Sequence, residues 1–158
     1  MESPASAALR TTIISALALL LTAGAPSAED NDAGGKKPLD AVSATEKGKL
    51  QNPHKGDQQA AAAGHKLFMS AGCNGCHGGT GGGGMGPPLS NTVWIYGNDD
   101  DTLFRLITLG SQDLKKAGYS RKGTENVVGP MPPFKDIVKS EDDMWKIVSW
   151  IKSLAKSK

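Results

Sequence analysis

The chain has 158 residues, and its 18 Lys and Arg residues against 16 Asp and Glu residues give a formal net charge of +2. This near balance excludes the strongly basic, clustered surface that nucleic-acid-binding domains need. Three Phe, three Trp and two Tyr residues are a thin aromatic content for a small domain, whose ratio of surface to volume is unfavourable. We therefore expect a large bound group to complete the core.

The first 28 residues have the pattern of an export signal. Arg10 supplies positive charge, residues 11–25 form an apolar run rich in Leu and Ala, and small residues follow through Ala28. The run is shorter than the roughly 18 apolar residues expected of a membrane span, although an uncleaved anchor stays open as an alternative. We predict a signal peptide at 1–28, cleaved after Ala28 despite the unfavourable Pro26, and a soluble periplasmic product.

Residues 29–56 combine Glu, Asp, Asn, Gly and Lys with few large apolar residues. Such a segment cannot bury enough apolar surface to offset the entropy lost on ordering. We predict a flexible N-terminal extension at 29–56, serving either as an inert leader or as an arm that docks a partner. The remaining residues, 57–158, are predicted to form one small domain.

The first predicted helix covers residues 57–71, with Asp57 as the N-cap and an Ala-rich body. Leu67 and Phe68 are expected to face the core. Gly64, in the middle of this helix, costs about 1 kcal/mol relative to Ala. Its presence predicts that another backbone passes close to it, and we expect that backbone to be the last helix.

A five-residue motif, Cys73-Asn74-Gly75-Cys76-His77, follows this helix and contains the only two cysteines of the chain. The order C-x-x-C-H is that of a covalent haem attachment site, in which two sulfurs bind the porphyrin vinyl groups and the histidine reaches the iron. A thioredoxin-like pair would need a βαβ setting, and a structural zinc site would need two further Cys or His ligands. The flanking sequence offers neither. We predict one haem c attached through Cys73 and Cys76, with His77 as an iron ligand.

Residues 78–84, called the glycine strap below, are nearly all glycine. Glycine lets the backbone adopt positive φ angles and approach a porphyrin closely. A phosphate-binding loop would need a preceding strand and a Gly-Lys-Ser or Gly-Lys-Thr sequence, and neither is present. Pro87 and Pro88 then stiffen the chain just after the strap.

Two further helices are predicted. The first covers residues 101–109 and ends at Gly110, a residue type that commonly terminates helices. The second covers residues 141–155, with Ser140 as the N-cap and acidic residues in the first turn that complement the helix dipole. Each has an apolar face at three- and four-residue spacing, formed by Leu103, Phe104, Leu106 and Ile107 in the first and by Met144, Ile147, Val148, Ile151 and Leu154 in the second. No alternation typical of strands competes with these helices.

Charged residues are distributed unevenly along the domain. Residues 99–101 are all Asp, whereas Lys115, Lys116, Arg121 and Lys122 form a basic stretch shortly before Met131. If this basic stretch lies beside the haem edge, it would steer an acidic redox partner towards the haem. Solvated loop charges without a partner are the competing interpretation.

Several segments together resemble small soluble class I c-type cytochromes: Gly64 and Phe68, the haem motif, Gly86-Pro87-Pro88-Leu89, Met131-Pro132-Pro133-Phe134 and the last helix with Trp150. The resemblance covers nearly all of the predicted domain. It implies an all-α cytochrome c fold, with about three to five helices packed around one covalently attached haem. It also implies that the first and last helices cross near Gly64 and Trp150, that His77 and Met131 bind the iron, and that the Pro87 carbonyl accepts a hydrogen bond from the His77 ring.

The residues around Met131 favour it as the second iron ligand. Pro132 and Pro133 remove two backbone donors and push Met131 towards an extended conformation, which holds its flexible side chain in a fixed loop. A neutral sulfur disfavours ferric iron relative to a second imidazole, so this ligand pair would raise the reduction potential.

Other methionines and histidines are weaker candidates for this position. Met85 follows His77 by only a few residues, while Met69 and Met144 take helix positions where methionine normally packs in the core. His54 lies in the extension and His65 on the first helix, so surface roles are expected for both. An open or His-ligated iron stays as the alternative.

With both axial positions filled, the iron has no site for a substrate, and the chemistry reduces to one-electron transfer. We predict a monomeric periplasmic electron carrier, not an enzyme, that exchanges electrons with partner proteins. Two alternatives stay open. A haem enzyme or gas sensor would require that Met131 not bind, and a tightly bound cytochrome subunit of a larger redox complex would require a large apolar surface patch.

A narrower resemblance concerns the electron donor. The run Gly86-Pro87-Pro88-Leu89, followed by Trp94-Ile95-Tyr96-Gly97, Leu103-Phe104 and Gly129-Pro130-Met131, is similar to cytochromes that serve pyrroloquinoline-quinone (PQQ) alcohol dehydrogenases, including methanol dehydrogenases. It implies a periplasmic PQQ dehydrogenase as donor and a terminal oxidase or another cytochrome as acceptor. The competing interpretation of Trp94 and Tyr96 is that they only line the haem pocket. For the partners, the alternative is a carrier between a bc-type complex and an oxidase.

Overall fold

The computed structural model describes residues 35–126 and 128–154, and these contain helices but no strand. The helices are α1 (Pro38–Ala44), α2 (Gln58–Ser70), α3 (Asn74–His77), α4 (Asp100–Lys116) and α5 (Glu141–Leu154). The all-α fold predicted from the sequence is therefore confirmed. No helix among the described residues is long and apolar enough to cross a bilayer. The predicted signal peptide at 1–28 lies outside the described residues.

Helices α2 and α5 cross at Gly64, and this crossing is the centre of the fold. A Cβ atom at Gly64 would lie 1.9 Å from the carbonyl oxygen of Lys146 on α5, so only a glycine permits the observed approach. Next to the crossing, the rings of Phe68 and Trp150 pack with their centroids 4.3 Å apart. The close passage of the last helix over Gly64, predicted from the sequence, is confirmed.

The N-termini of both helices are fixed by side-chain caps. The Asp57 carboxylate accepts hydrogen bonds from the backbone N–H groups of Gln59 at 2.8 Å and Ala60 at 3.1 Å. The Ser140 hydroxyl accepts one from the N–H of Asp143 at 3.1 Å. These bonds satisfy backbone donors that have no partner within the first turn of a helix.

Helix α5 buries the apolar stripe that its sequence predicts. Met144, Ile147 and Val148 are completely buried, and Ile151 is nearly so. Trp145 is buried beside this stripe, with its ring centroid 4.2 Å from that of Phe104 on α4. The stripe therefore joins α5 to α4 as well as to α2.

Helix α4 is longer than predicted and is broken in the middle. Its first segment ends at Gly110, as the sequence indicates, but the backbone there has φ 72° and ψ 167° and a second segment continues to Lys116. The second segment is stabilised by Leu114, which is completely buried in a small cluster with Tyr96 and Tyr119. A glycine stop therefore marks a break here and not the end of the helical region.

The prediction of a flexible extension at 29–56 is wrong for residues 35–56, which are ordered. Helix α1 packs against the rest of the domain, with Ala41 completely buried and Leu50 8% exposed. The backbone N–H of Glu141 also donates to the carbonyl of Lys36 at 2.7 Å, which ties this segment to the start of α5. Residues 29–34 lie outside the described part of the chain.

Buried polar groups are the physical reason for this order. The Arg105 guanidinium donates hydrogen bonds to the carbonyl oxygens of Val42, Thr45 and Glu46, so one side chain of α4 satisfies three backbone acceptors of the N-terminal segment. The Asp101 carboxylate accepts from the backbone N–H of Leu50 at 3.1 Å. A prediction from apolar content overlooks this source of stability, because hydrogen bonds made by charged groups each contribute about 1.5–3 kcal/mol.

Candidate functional site

Helix α3 and the residue before it bring the two cysteines and the histidine of the motif to one wall of a cavity. The backbone N–H of Cys73 donates to the carbonyl of Phe68 at 3.1 Å, which joins this turn to the end of α2. The N–H of His77 donates to the carbonyl of Cys73 at 3.0 Å and closes the turn. Cys73 and His77 are buried, Cys76 is half-buried, and neither cysteine forms a disulfide.

The environment of Cys73 argues against a thiol-based redox site. Burial raises the pKa of its thiol to about 11, and the neighbouring Cys76 adds to this rise. A thiol with so high a pKa is protonated at neutral pH, whereas reactive cysteines have lowered pKa values and partly exposed, electropositive surroundings. The Cys73 thiol is therefore poorly suited to thiol exchange.

The His77 ring is held from one side by the segment after the glycine strap. Its Nδ1 atom lies 2.9 Å from the carbonyl oxygen of Pro87. With a proton on Nδ1 donated to that carbonyl, Nε2 keeps its lone pair for a metal. Gly86 lies directly against the ring, because a Cβ atom there would be 2.8 Å from Cε1 of His77.

The glycine strap folds back over α3 and fixes this wall. The N–H of Gly83 donates to the carbonyl of His77 at 2.8 Å, and the N–H of Gly86 donates to that of Cys76 at 3.0 Å. Gly78, Gly81 and Gly83 have φ values of 73°, 72° and 96°. These positive φ angles give a physical reason for the glycine-rich sequence, since other residues adopt them at a cost.

Met131 lines the same cavity as the motif. Its loop lies against α4 on the break at Gly110: the N–H of Ser111 donates to the carbonyl of Met131, and the N–H of Phe134 donates to the carbonyl of Ile107, both at 2.9 Å. The thioether is therefore carried by a loop with two backbone anchors and two prolines. This is the rigid support expected from the sequence.

The cavity has a volume of about 1100 Å³ and a mostly apolar lining. Beyond the motif and Met131, its walls include Phe68, Leu89, Trp94, Leu103, Ile107 and Ile151. A haem is a large, flat, apolar ring with two acidic groups at one edge, and it needs sulfur and imidazole groups within reach. The cavity has apolar walls for the ring, and its lining supplies sulfur groups, an imidazole and basic side chains that can pair with the acidic groups. The residues present therefore fit a covalently attached haem.

The competing ligands lie in less suitable places. Met144 is completely buried in the core and Met69 is exposed on α2, and neither lines the cavity. Met85 does line it but is 55% exposed. His54 contacts Asp142 at 2.6 Å, and His65 stacks on Trp150 with ring centroids 4.7 Å apart. Among the described residues, His77 is the only histidine in the lining.

The acidic run predicted from the sequence is part of the framework. Asp99 caps α4 by accepting from the N–H of Thr102 at 2.9 Å, and Asp100 lies 3.4 Å from the Lys152 ammonium. Asp101 is buried and bonded to Arg105 and Tyr119. These three carboxylates are therefore not a free acidic surface.

Three residues of the basic stretch do lie at the cavity. Lys115, Lys116 and Arg121 belong to its lining, and Lys122 does not. The hypothesis of a steering surface requires these charges to lie beside the cavity, and three of the four meet that condition.

Sequence reasoning missed the role of two glycines that shape the site. The sequence indicates only that Gly86 belongs to a motif and that Gly110 ends a helix. In the structure, Gly86 lies against the ring of His77 and Gly110 lies against the backbone of Met131. The available signal for Gly86 is its place immediately before Pro87. For Gly110, no local signal could indicate a contact with a loop about twenty residues away.

The sequence of the domain matches a known protein family. The family model of cytochrome c matches residues 61–155 of the chain. Among solved structures, the chain is similar to the crystal structure of cytochrome CL from the marine methylotrophic bacterium Methylophaga aminisulfidivorans MPT, with 26% identity and a TM-score of 0.46. The matched region covers 66% of this chain and 59% of that one. No curated protein matches the chain. Because the family model covers more than half of the sequence, the chain belongs to the cytochrome c family.

Proposed function

We propose that this cytochrome c is a periplasmic one-electron carrier with a single haem attached through Cys73 and Cys76. His77 and Met131 are its two iron ligands. The observation that carries the proposal is that one cavity contains both cysteines, one histidine and a methionine on an anchored loop. When bound, the haem supplies an iron that accepts and releases one electron.

The chain's own residues set the conditions for that chemistry. The Pro87 carbonyl accepts from Nδ1 of His77 and thereby orients the ring and increases the basicity of Nε2. The neutral thioether of Met131 favours the ferrous state, which raises the reduction potential relative to a second imidazole. The apolar walls exclude water from the site, and with two protein ligands in place no position is left for a substrate.

The absorption spectrum of the purified ferric protein tests this ligation. We expect a weak charge-transfer band at the red end of the spectrum that is lost in Met131→Ala. Carbon monoxide added to the ferrous protein at neutral pH distinguishes a carrier from a haem enzyme or gas sensor. Slow or partial binding by the parent with rapid, complete binding by Met131→Ala supports the carrier, whereas rapid, complete binding by both contradicts it.

The mouth of the cavity has the composition of a docking surface for an acidic redox protein. The apolar side chains of Met85, Val93 and Val128 are 55%, 42% and 80% exposed there, and the basic side chains of Lys115 and Arg121 lie at the same cavity. An apolar centre allows close approach of the two proteins, and basic residues steer an acidic partner.

The partner we propose is a periplasmic PQQ alcohol dehydrogenase as donor, with a terminal oxidase or another cytochrome as acceptor. This rests on the similarity of residues 86–97 and 129–131 to cytochromes of that kind. Stopped-flow reduction by a purified PQQ methanol dehydrogenase tests it: we expect a second-order rate that falls steeply with ionic strength. Reduction that is equally slow at all salt concentrations contradicts it.

Export is the remaining part of the proposal. The apolar run at 11–25 and the small residues through Ala28 support cleavage of a signal peptide after Ala28. Mass spectrometry of the protein isolated from the periplasm is expected to give a mature chain that begins at Glu29 and carries one haem.

A further inference from the structure

The break in α4 opens the helical hydrogen bonds that span Gly110, and one of them is the bond between Ser111 and Ile107. In an uninterrupted α-helix the N–H of Ser111 would donate to the carbonyl of Ile107 four residues earlier. At Gly110 the backbone is non-helical, with φ 72° and ψ 167°, so these two groups do not bond to each other. The Ser111 N–H and the Ile107 carbonyl are thereby available to another part of the chain.

The Met131 loop satisfies both groups. The N–H of Ser111 donates to the carbonyl of Met131, and the carbonyl of Ile107 accepts from the N–H of Phe134, each at 2.9 Å. Pro132 and Pro133 have no N–H, so Phe134 is the first residue after Met131 that offers a donor. The loop therefore takes the place of the helical bond between Ser111 and Ile107.

Glycine is needed at the break for two separate reasons. Its φ of 72° is one that side chains with a Cβ rarely adopt. In addition, a Cβ atom there would lie 2.7 Å from the nitrogen of Pro133 and 2.8 Å from the carbonyl oxygen of Met131. Both neighbours are backbone atoms of the loop, so they cannot move aside as a side chain could.

We propose that Gly110 is a positioning residue for Met131: it opens α4 so that the loop docks into the helix and holds the thioether at the iron. The inference rests on the proposed ligation by His77 and Met131. In this proposal the break in α4 helps to determine how strongly Met131 binds the iron. A change that weakens the contact between the Met131 loop and α4 weakens the bond from the thioether to the iron and leaves the covalent attachment of the haem unchanged.

Two variants with matched controls test the inference on the haem-loaded protein. Gly110→Ala places a Cβ against the loop, and its control Gly56→Ala has a similar φ of 81° but nothing within 4 Å. Ser111→Pro removes the N–H that bonds to Met131, at the first position of a helical segment where proline is tolerated. Its control Ser111→Ala keeps that N–H.

The readouts are the red charge-transfer band of the ferric protein and its affinity for added imidazole, which competes with the thioether. The apparent affinity for imidazole rises with the fraction of molecules in which the thioether has left the iron. Loss of one hydrogen bond is therefore expected to tighten imidazole binding about fivefold in Ser111→Pro. A larger effect and a weakened band are expected in Gly110→Ala, while both controls stay at the parent value.

Each outcome decides the inference. Parent-like imidazole affinity in Ser111→Pro overturns it, even if Gly110→Ala yields no folded protein. Equal effects in Ser111→Pro and Ser111→Ala also overturn it, because the N–H would then be irrelevant. A band that survives Met131→Ala overturns the ligand assignment itself, whereas a band lost in Met131→Ala but unchanged in Gly110→Ala and Ser111→Pro overturns only the role of Gly110.

Discussion

The Nε atom of Arg105 donates to the Asp101 carboxylate at 3.0 Å, and the two side chains are only 7% and 3% exposed. The pair lies between α4 and the N-terminal segment, whose carbonyls accept the other hydrogen bonds of Arg105. A charge pair so buried is stabilising only while both partners and their hydrogen bonds are present.

Replacement of Arg105 by Leu is expected to lower the free energy of unfolding by about 3–5 kcal/mol, because it leaves the Asp101 charge buried without its partner. Urea denaturation followed by circular dichroism measures the change. Lys116→Leu is the control, since it breaks the exposed ion pair with Asp113 and is expected to leave the midpoint where it is. Equal midpoints for both variants would show that the buried pair contributes nothing.

The same carboxylate predicts a dependence of stability on pH. Burial alone would raise the pKa of Asp101, but hydrogen bonds from Tyr119, Arg105 and Leu50 outweigh it and hold the pKa below its ordinary value. The folded-state pKa is thus below the unfolded value of about 3.9, so the stabilisation is complete above that pH and is lost as pH falls through the folded pKa. We expect the stability of Asp101→Asn to fall less than that of the parent between neutral pH and pH values below about 4. Parallel curves would contradict this assignment.

Gly64→Ala is expected to force α2 and α5 apart, because the added Cβ would lie 1.9 Å from a backbone oxygen. Overpacking of this kind costs about 1–3 kcal/mol, and a contact with a rigid helix backbone falls at the upper end. Gly75→Ala serves as control, since that glycine is also helical and has nothing within 4 Å. We expect a lower midpoint of thermal denaturation for Gly64→Ala than for Gly75→Ala. A Gly64→Ala midpoint equal to that of the parent would refute the close crossing.

Gly86→Ala is expected to disturb the iron and not the fold. Its Cβ would press on the His77 ring and weaken the hydrogen bond to Pro87, which lowers the basicity of the ring and its preference for ferric iron. A tenfold loss of that preference corresponds to a rise in reduction potential of about 59 mV. Redox titration tests this against Gly82→Ala in the nearby glycine strap, whose Cβ would meet only the Thr80 hydroxyl at 3.7 Å. Identical potentials would exclude a role for Gly86.

Local sequence signals are sufficient for the starts of α2 and α5 and for the attachment motif. Asp57 and Ser140 mark helix starts by a chemistry that acts within three residues, and the spacing of Cys73, Cys76 and His77 acts within one turn. The role of Gly64 can be predicted because a glycine in an Ala-rich helix lowers helix stability, and a backbone packed against it compensates for that loss.

Long-range polar contacts are beyond such signals. The order of residues 35–56 depends on Arg105, which is some sixty positions away in the chain, and no apolar pattern in the segment indicates it. The continuation of α4 beyond Gly110 is also not predictable from the sequence. The Ser111 N–H and the Ile107 carbonyl are satisfied at this break by the Met131 loop, which is distant in sequence. In both cases a buried hydrogen-bond acceptor or donor finds its partner only through the tertiary fold.

The crossing of α2 over α5 joins two helices from nearly opposite ends of the described domain. Closing so long a loop is entropically unfavourable until the late helix is available to pack against the early one. During synthesis the central contact is therefore missing until α5 has emerged. Until then Gly64 has no helix packed against it, and the Cys73 thiol stays accessible because the core that buries it has not yet formed.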